Sequence, residues 1–126
     1  MNPLDGRRGQ ETVATTVELE MLGWAEQVTV TLSWSSDAPY AVGLIFPGEL
    51  EVCWLVARDL LAAGLLGPSG LGDVSVFPDL YDPGFVELVL SSPDGSVGLR
   101  MPVHRLATFL DATWRHVPAG AEAQPS

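Results

Sequence analysis

The side chains best able to do chemistry in this chain are two histidines, one cysteine, two pairs of glutamates and one arginine–aspartate pair. His104 and His116 fall in the same apolar-periodic segment as Asp111, so a His–Asp acid–base pair is one reading. The same stretch carries Arg105, Thr108 and Arg115, and a solvated helix face has the same composition. No Cys or Ser occupies a strand-to-helix elbow, where a nucleophile is normally presented. Cys53 lies mid-strand between Val52 and Trp54, on the pleat face of Glu51 and Leu55. An acid and apolar groups give a thiol no electropositive setting, so an inert packed or interface cysteine is expected. Glu18/Glu20 and Glu49/Glu51 have strand spacing. They would hold a divalent ion only if the two pairs converged; otherwise they protect a sheet edge.

Gly64, Gly67, Gly70 and Gly72 invite a phosphate-loop reading. A phosphate cradle runs strand, glycines, helix N-terminus. Here the order is helix, glycines, strand, and no Lys follows, so turns and caps are expected. Arg58–Asp59 is the most informative polar pair. It sits inside an apolar run, where a strand pattern gives way to a helical one. Asp59 suits a helix N-terminus, and Arg58 beside it reads either as a structural ion pair or as a partner contact.

These residues must be positioned by 126 residues, enough for one compact domain. Hydrophobic residues make up 47% and charged residues 17%, against a usual charged share of about 25%. So lightly charged a surface implies apolar area that other subunits cover. Sixteen acids face six bases for a net charge of -10, and every base is Arg. Long-range repulsion makes nucleic acid and anionic membrane poor partners. One cysteine cannot make an internal disulfide. The polar N-terminus lacks the apolar run of a signal peptide, and no stretch nears the ~20 apolar residues of a membrane span. A soluble cytoplasmic protein is expected, with no cofactor and no metal.

The dominant period is two. Val17, Leu19 and Met21 alternate with Glu18 and Glu20; Val28, Val30, Leu32 and Trp34 alternate with Thr29, Thr31 and Ser33. Further strands are predicted over 40–46 and 50–56, and Leu- and Ala-rich residues 57–66 predict a helix. Gly64 or Gly67 is expected to end it as a left-handed cap. A strand over 73–77 follows, then a hairpin of 85–90 and 96–101 across Ser92-Pro93-Asp94-Gly95. Pro102 opens a helix with apolar spacing from Val103 to Val117. The two halves share one grammar of strand, turn, strand, helix. An α+β domain is predicted over 12–119, with a disordered lead at 1–11 and a disordered tail at 120–126. Two helices cannot cover both faces of so many strands, so a homo-oligomer is expected.

Six segments, in order, carry a resemblance. They are PYAV (39–42), W-x-x-ARDLL (54–61), GL-x-x-P-x-G-x-GDV-x-V-x-P (64–78, with one extra Leu at 65–66), LSSPDG (90–95), P-x-x-x-L-x-x-FL-x-x-T (102–113) and VPAGAE (117–122). In these the chain resembles the SsgA-like proteins of sporulating actinomycetes, over about two-thirds of its length. It departs from the pattern at Ala38, which separates Asp37 from Pro39, at Val56 in place of a usual Phe, and at Phe77 in place of a usual Trp. The resemblance implies a fold similar to the Whirly and guide-RNA-binding proteins: two ββββα units with antiparallel sheets, assembled as a bell-shaped homotrimer. It implies a non-enzymatic SsgB-like adaptor at the division septum, with the tubulin-like protein FtsZ and SsgA-like paralogues as partners. Other members act in septal peptidoglycan synthesis or autolysis. Fold analogy also raises single-stranded nucleic-acid binding, against which the acidic charge argues. The candidate structural or partner-contact residues are Trp54, Arg58, Asp59 and Asp73.

Overall fold

A computed structural model describes residues 10–23 and 26–122 of the chain. The expected lead-in and tail lie mostly outside that range. The strands are β1 (Thr12–Met21), β2 (Glu26–Ser35), β3 (Ala41–Phe46), β4 (Val52–Ala57), β5 (Ser69–Leu71), β6 (Val74–Pro78), β7 (Phe85–Ser92) and β8 (Gly95–Pro102). The helices are α1 (Arg58–Gly64), after β4, and α2 (Val103–His116), after β8. The order is therefore ββββα twice, in an α+β arrangement.

All eight strands form one antiparallel sheet in the order β4-β3-β2-β1-β8-β7-β6-β5. The expectation of separate sheets gives way to a single continuous one. Each unit is a meander, and the units join where β1 meets β8. That seam is short, pairing Glu20 with Arg100 and Met21 with Leu99. The sheet curls far enough that α1, which follows edge strand β4, packs on β5 and β6 at the opposite edge.

Period-two patterning decides which face is inside. Val17 pairs with Val30, Leu32 with Leu44, Leu88 with Leu99 and Val86 with Met101, and all eight are buried. Leu60 and Leu61 of α1, with Leu106, Phe109 and Leu110 of α2, close that inner face. No helix covers the outer face of the sheet among the described residues.

One local expectation is extended and two are corrected. β1 extends from Thr12, beyond the alternation read at Val17–Met21. Its Thr- and Val-rich start suits a pleated strand, and β2 pairs with it throughout, to Thr12–Ser35. β5 was not predicted, because Ser-Gly-Leu has no alternation to read; pairing with β6 makes it a strand. Finally, α1 ends without a left-handed cap: Leu65 after it has φ -73°, and neither Gly64 nor Gly67 has a positive φ. Gly64 is required for another reason. A Cβ there would lie 2.1 Å from Val76 Cγ1 and 2.5 Å from Val76 Cβ, so the bare backbone lets α1 rest directly on β6.

Among the described residues, no helix is long and apolar enough to cross a membrane.

Candidate functional site

Arg58 is the first residue of α1 and is fully buried. A buried guanidinium must find partners for five N–H donors, and five bonds to four acceptor atoms engage it. Nε and Nη2 donate to Glu122 Oε2 at 3.2 and 2.5 Å. Nη1 donates to Thr113 Oγ1 at 3.2 Å and to the Val117 carbonyl at 2.8 Å. Nη2 also donates to the Pro118 carbonyl at 3.4 Å. The Trp34 ring lies 5.5 Å from the guanidinium carbon, within cation–π range.

The acceptors come from segments far apart in sequence. PYAV contributes the Tyr40 carbonyl, which takes the Arg58 backbone N–H, and the Pro39 carbonyl, which takes the Trp34 indole N–H. The last turn of α2 contributes Thr113, and VPAGAE contributes two carbonyls and Glu122. Gly120 N–H braces Glu122 through Oε1. His116 stacks on Trp34 with ring centroids 6.0 Å apart, and its Nδ1 lies 3.7 Å from Glu11. Four of the six segments that carry the resemblance thus meet at one residue, PYAV through its backbone amide and the others through its side chain. Because every donor is engaged, the hub clamps the end of α2 to the start of α1.

A second polar cluster spans the seam on the outer face. Arg100 binds Asp79 at 2.9 Å and Glu20 at 3.1 Å, and stacks 4.2 Å above the Phe85 ring. Asp79 Oδ1 accepts from the Tyr81 and Asp82 amides, and Asp82 Oδ1 from the Gly84 amide. This bracing holds a tight loop whose tip, Leu80 and Tyr81, is 84% and 93% exposed.

The Asp79 carboxyl is held at about 2 by the Tyr81 amide first and by a hydrogen bond with Glu87 second. Burial, then Asp79, pushes Glu87 up. Arg58 holds Glu122 below the usual range. Depressed carboxyls stabilise the fold above their unfolded values near 4, and lose that contribution as pH falls through their folded values. Glu87 works in the opposite sense, its contribution being lost as pH rises. Below about pH 4 the Glu87 contribution is already complete, so the depressed groups alone set the sign and the melting temperature falls from about pH 4 toward pH 2. Asp79→Asn should flatten that slope; an unchanged slope in melting scans would contradict the assignment.

The third feature is apolar. The helices leave one end of the inner face open, and a groove of about 330 Å³ remains there. Phe46, Val52 and Trp54 form one wall, with Leu90, Val97 and Leu99 facing them from the second unit. Trp54 is half-buried, two positions along the inner row from buried Val56.

The structure separates the sequence candidates. Arg58 is the hub, but its carboxylate is Glu122, not its neighbour Asp59. Asp59 is exposed in the first turn of α1 without a side-chain cap bond. Asp73 is exposed in the turn before β6, and its carbonyl takes the Ser91 N–H. Trp54 belongs to the groove. His104 and His116 sit at opposite ends of α2; His104 lines a cleft between α2 and β1 with Arg105 and Thr108. Cys53 is exposed rather than packed. Among the described residues, no three His, Cys, Asp or Glu side chains form a metal-ligand group.

Trp34, Thr113 and Glu122 were not singled out in the sequence. The available signal was an Arg in an apolar run, which demands buried acceptors, but nothing local says where they lie.

A family model described as "Streptomyces sporulation and cell division protein, SsgA" matches residues 28–122. The sporulation-specific cell division protein SsgB of Streptomyces coelicolor is 39% identical over 117 residues, covering 88% of this chain and 85% of that protein. SsgB of Saccharopolyspora erythraea is 37% identical over 123 residues, covering 92% and 86%. A structure solved in work on SsgB mutations that correlate to longitudinal cell division during sporulation of Streptomyces coelicolor has a TM-score of 0.82 at 37% identity, covering 90% of this chain and 94% of that one. An SsgA-like sporulation-specific cell division protein from Thermobifida fusca also gives a TM-score of 0.82, at 31% identity, covering 91% and 88%.

Proposed function

The chain belongs to the SsgA family of sporulation and cell division proteins, and from that premise we propose that it is a non-enzymatic adaptor that recruits FtsZ to future septum sites or promotes its assembly there. The observation that carries this reading is its similarity to SsgB proteins along nearly the whole chain. Relatives named as sporulation-specific cell division proteins support a role in cell division.

Surface physics supports an adaptor. Recognition favours rigid apolar anchors, because little entropy is lost on docking. The braced loop at 79–84 carries Leu80 and Tyr81 outward in that manner. The one buried charged side chain among the described residues, Arg58, is spent on internal bonds and has no donor left for a ligand. Away from β4, Leu66 and Leu71 are also largely exposed in the single chain, which favours a homo-oligomer, the bell-shaped Whirly-like trimer being our expectation. Light scattering that returns a 13.4 kDa monomer would rule the oligomer out.

Polymerised FtsZ tests the central part. The chain should sediment with FtsZ polymers in GTP and stay in the supernatant without them. Absence from the pellet across several related SsgA-family chains would overturn the recruitment reading.

A further inference from the structure

The free edge of β4 lies directly beside the Trp54 groove, and the two features belong to one docking site. Among the described residues β4 pairs only with β3, so one side of its backbone faces no described strand. The Arg58 N–H bond to the Tyr40 carbonyl makes that pair a hydrogen-bonded rung. Rungs alternate by two along an antiparallel ladder. With the register Val42–Val56, Leu44–Trp54 and Phe46–Val52, those residues bond inward to β3. Cys53 and Leu55 therefore turn their N–H and C=O groups to the open side.

Edges of this kind are normally shielded by charged side chains, Pro or a bulge within the strand, or by a covering element, and Glu49 and Glu51 stand just before β4 rather than in it. β4 has none of the first three: it reads Val-Cys-Trp-Leu-Val-Ala, pairs with β3 without a bulge, and leaves Val52 50% and Leu55 71% exposed. α1 packs near its C-terminal end only, where the chain passes from Ala57 into the helix. Across the remaining gap stand Leu90 and Val97 of the second unit, which complete the apolar groove.

We propose that β4 accepts an extended peptide of a partner protein as an added strand. Backbone bonds to Cys53 and Leu55 would hold it, and alternate aliphatic side chains would enter the groove against Trp54. Charge selects the partner's flanks. Glu49 and Glu51 are exposed at the entry to β4, Asp94 lines the adjoining hollow beside Trp54, and the chain carries -10 overall. The complementary peptide alternates aliphatic and small polar residues and ends in Lys or Arg. A second copy is disfavoured at this edge, since its own β4 brings Glu49 and Glu51 to a strip that is already acidic. The inference gives the proposed adaptor a means of grip and depends on that reading for its purpose, not for its geometry.

The probe is a fluorescein-labelled peptide of alternating valine and threonine with lysines at both ends, titrated against the full chain by anisotropy. Two N-methylated forms accompany it, one on the valine amides and one on the threonine amides. Saturable binding is expected, with only one methylation pattern abolishing it: threonine for an antiparallel strand, valine for a parallel one. Leu55→Pro removes an outward N–H while leaving the β3 rungs intact, and should weaken binding at least tenfold. Methylation patterns that matter equally, or binding indifferent to both methylation and Leu55→Pro, would overturn the proposal. So would no saturation up to about 1 mM peptide, or concentration-dependent protection of the Cys53 and Leu55 amides by the chain alone. Sedimentation of the wild-type chain with FtsZ is scored separately, so failure of the edge is distinguishable from failure of recruitment.

Discussion

Arg58→Ala should lower the melting temperature by about 10–20 °C, the largest effect of any single substitution considered. Its five donors go to Thr113, Val117, Pro118 and Glu122. Truncation removes them together and leaves a space beside Trp34. Breaking one side of a buried ion pair costs about 3–5 kcal/mol, and a domain of this size loses about 3–5 °C per kcal/mol. Arg58→Lys should recover little, because an ammonium is a point donor and cannot fill a planar fork of acceptors. Glu122→Gln should cost less than Arg58→Ala: it keeps an acceptor for the guanidinium, and Thr113 with the two carbonyls remain. Thermal unfolding by circular dichroism orders the three. A drop of only a degree or two for Arg58→Ala would mean that the hub does not hold the end of α2.

Gly64→Ala should lower stability by about 2 kcal/mol, although Ala is the better helix former. The helix-propensity gain is about 1 kcal/mol, while overpacking a tight interface costs about 1–3 kcal/mol or more. Overpacking wins here because the new Cβ meets the Cβ and Cγ1 of a β-branched, fully buried Val76, with the Val76 carbonyl carbon only 3.1 Å away. No flexible side-chain end is available to yield. Val76→Ala on its own leaves a cavity, yet in the double variant the two changes should partly compensate. The double-mutant cycle should therefore show a favourable coupling. Additive losses would mean that α1 and β6 do not touch as described.

Much of the sheet was legible because burial on one face writes period two into Val17–Met21, Val28–Trp34 and Val97–Met101. The second helix was legible because Leu106, Phe109, Leu110 and Thr113 follow one face of a 3.6-residue turn. What stayed hidden depends on residues distant in sequence. Gly64 looks like a helix cap until Val76 is placed above it. Ser69–Leu71 has no pattern of its own and becomes a strand only through β6. Arg58 announces that it needs partners, but Glu122 lies 64 residues away. The groove is half visible: Trp54 and Val52 share an inner row in the sequence, whereas Leu90 and Val97 arrive only when the sheet curls.

The hub and the groove serve one purpose. Arg58 and Gly64 fix the ends of both helices and hold the curl of the sheet, and the curl leaves the Trp54 groove and the β4 edge open beside each other. A recruiting protein needs such a surface more than it needs a reactive side chain. Whether the chain recruits is tested most directly by placing it in an SsgB-deficient strain of Streptomyces coelicolor and imaging septa in aerial hyphae. The account predicts restored ladders of FtsZ and restored sporulation septa from the wild-type chain. A stably expressed chain that restores neither would contradict it.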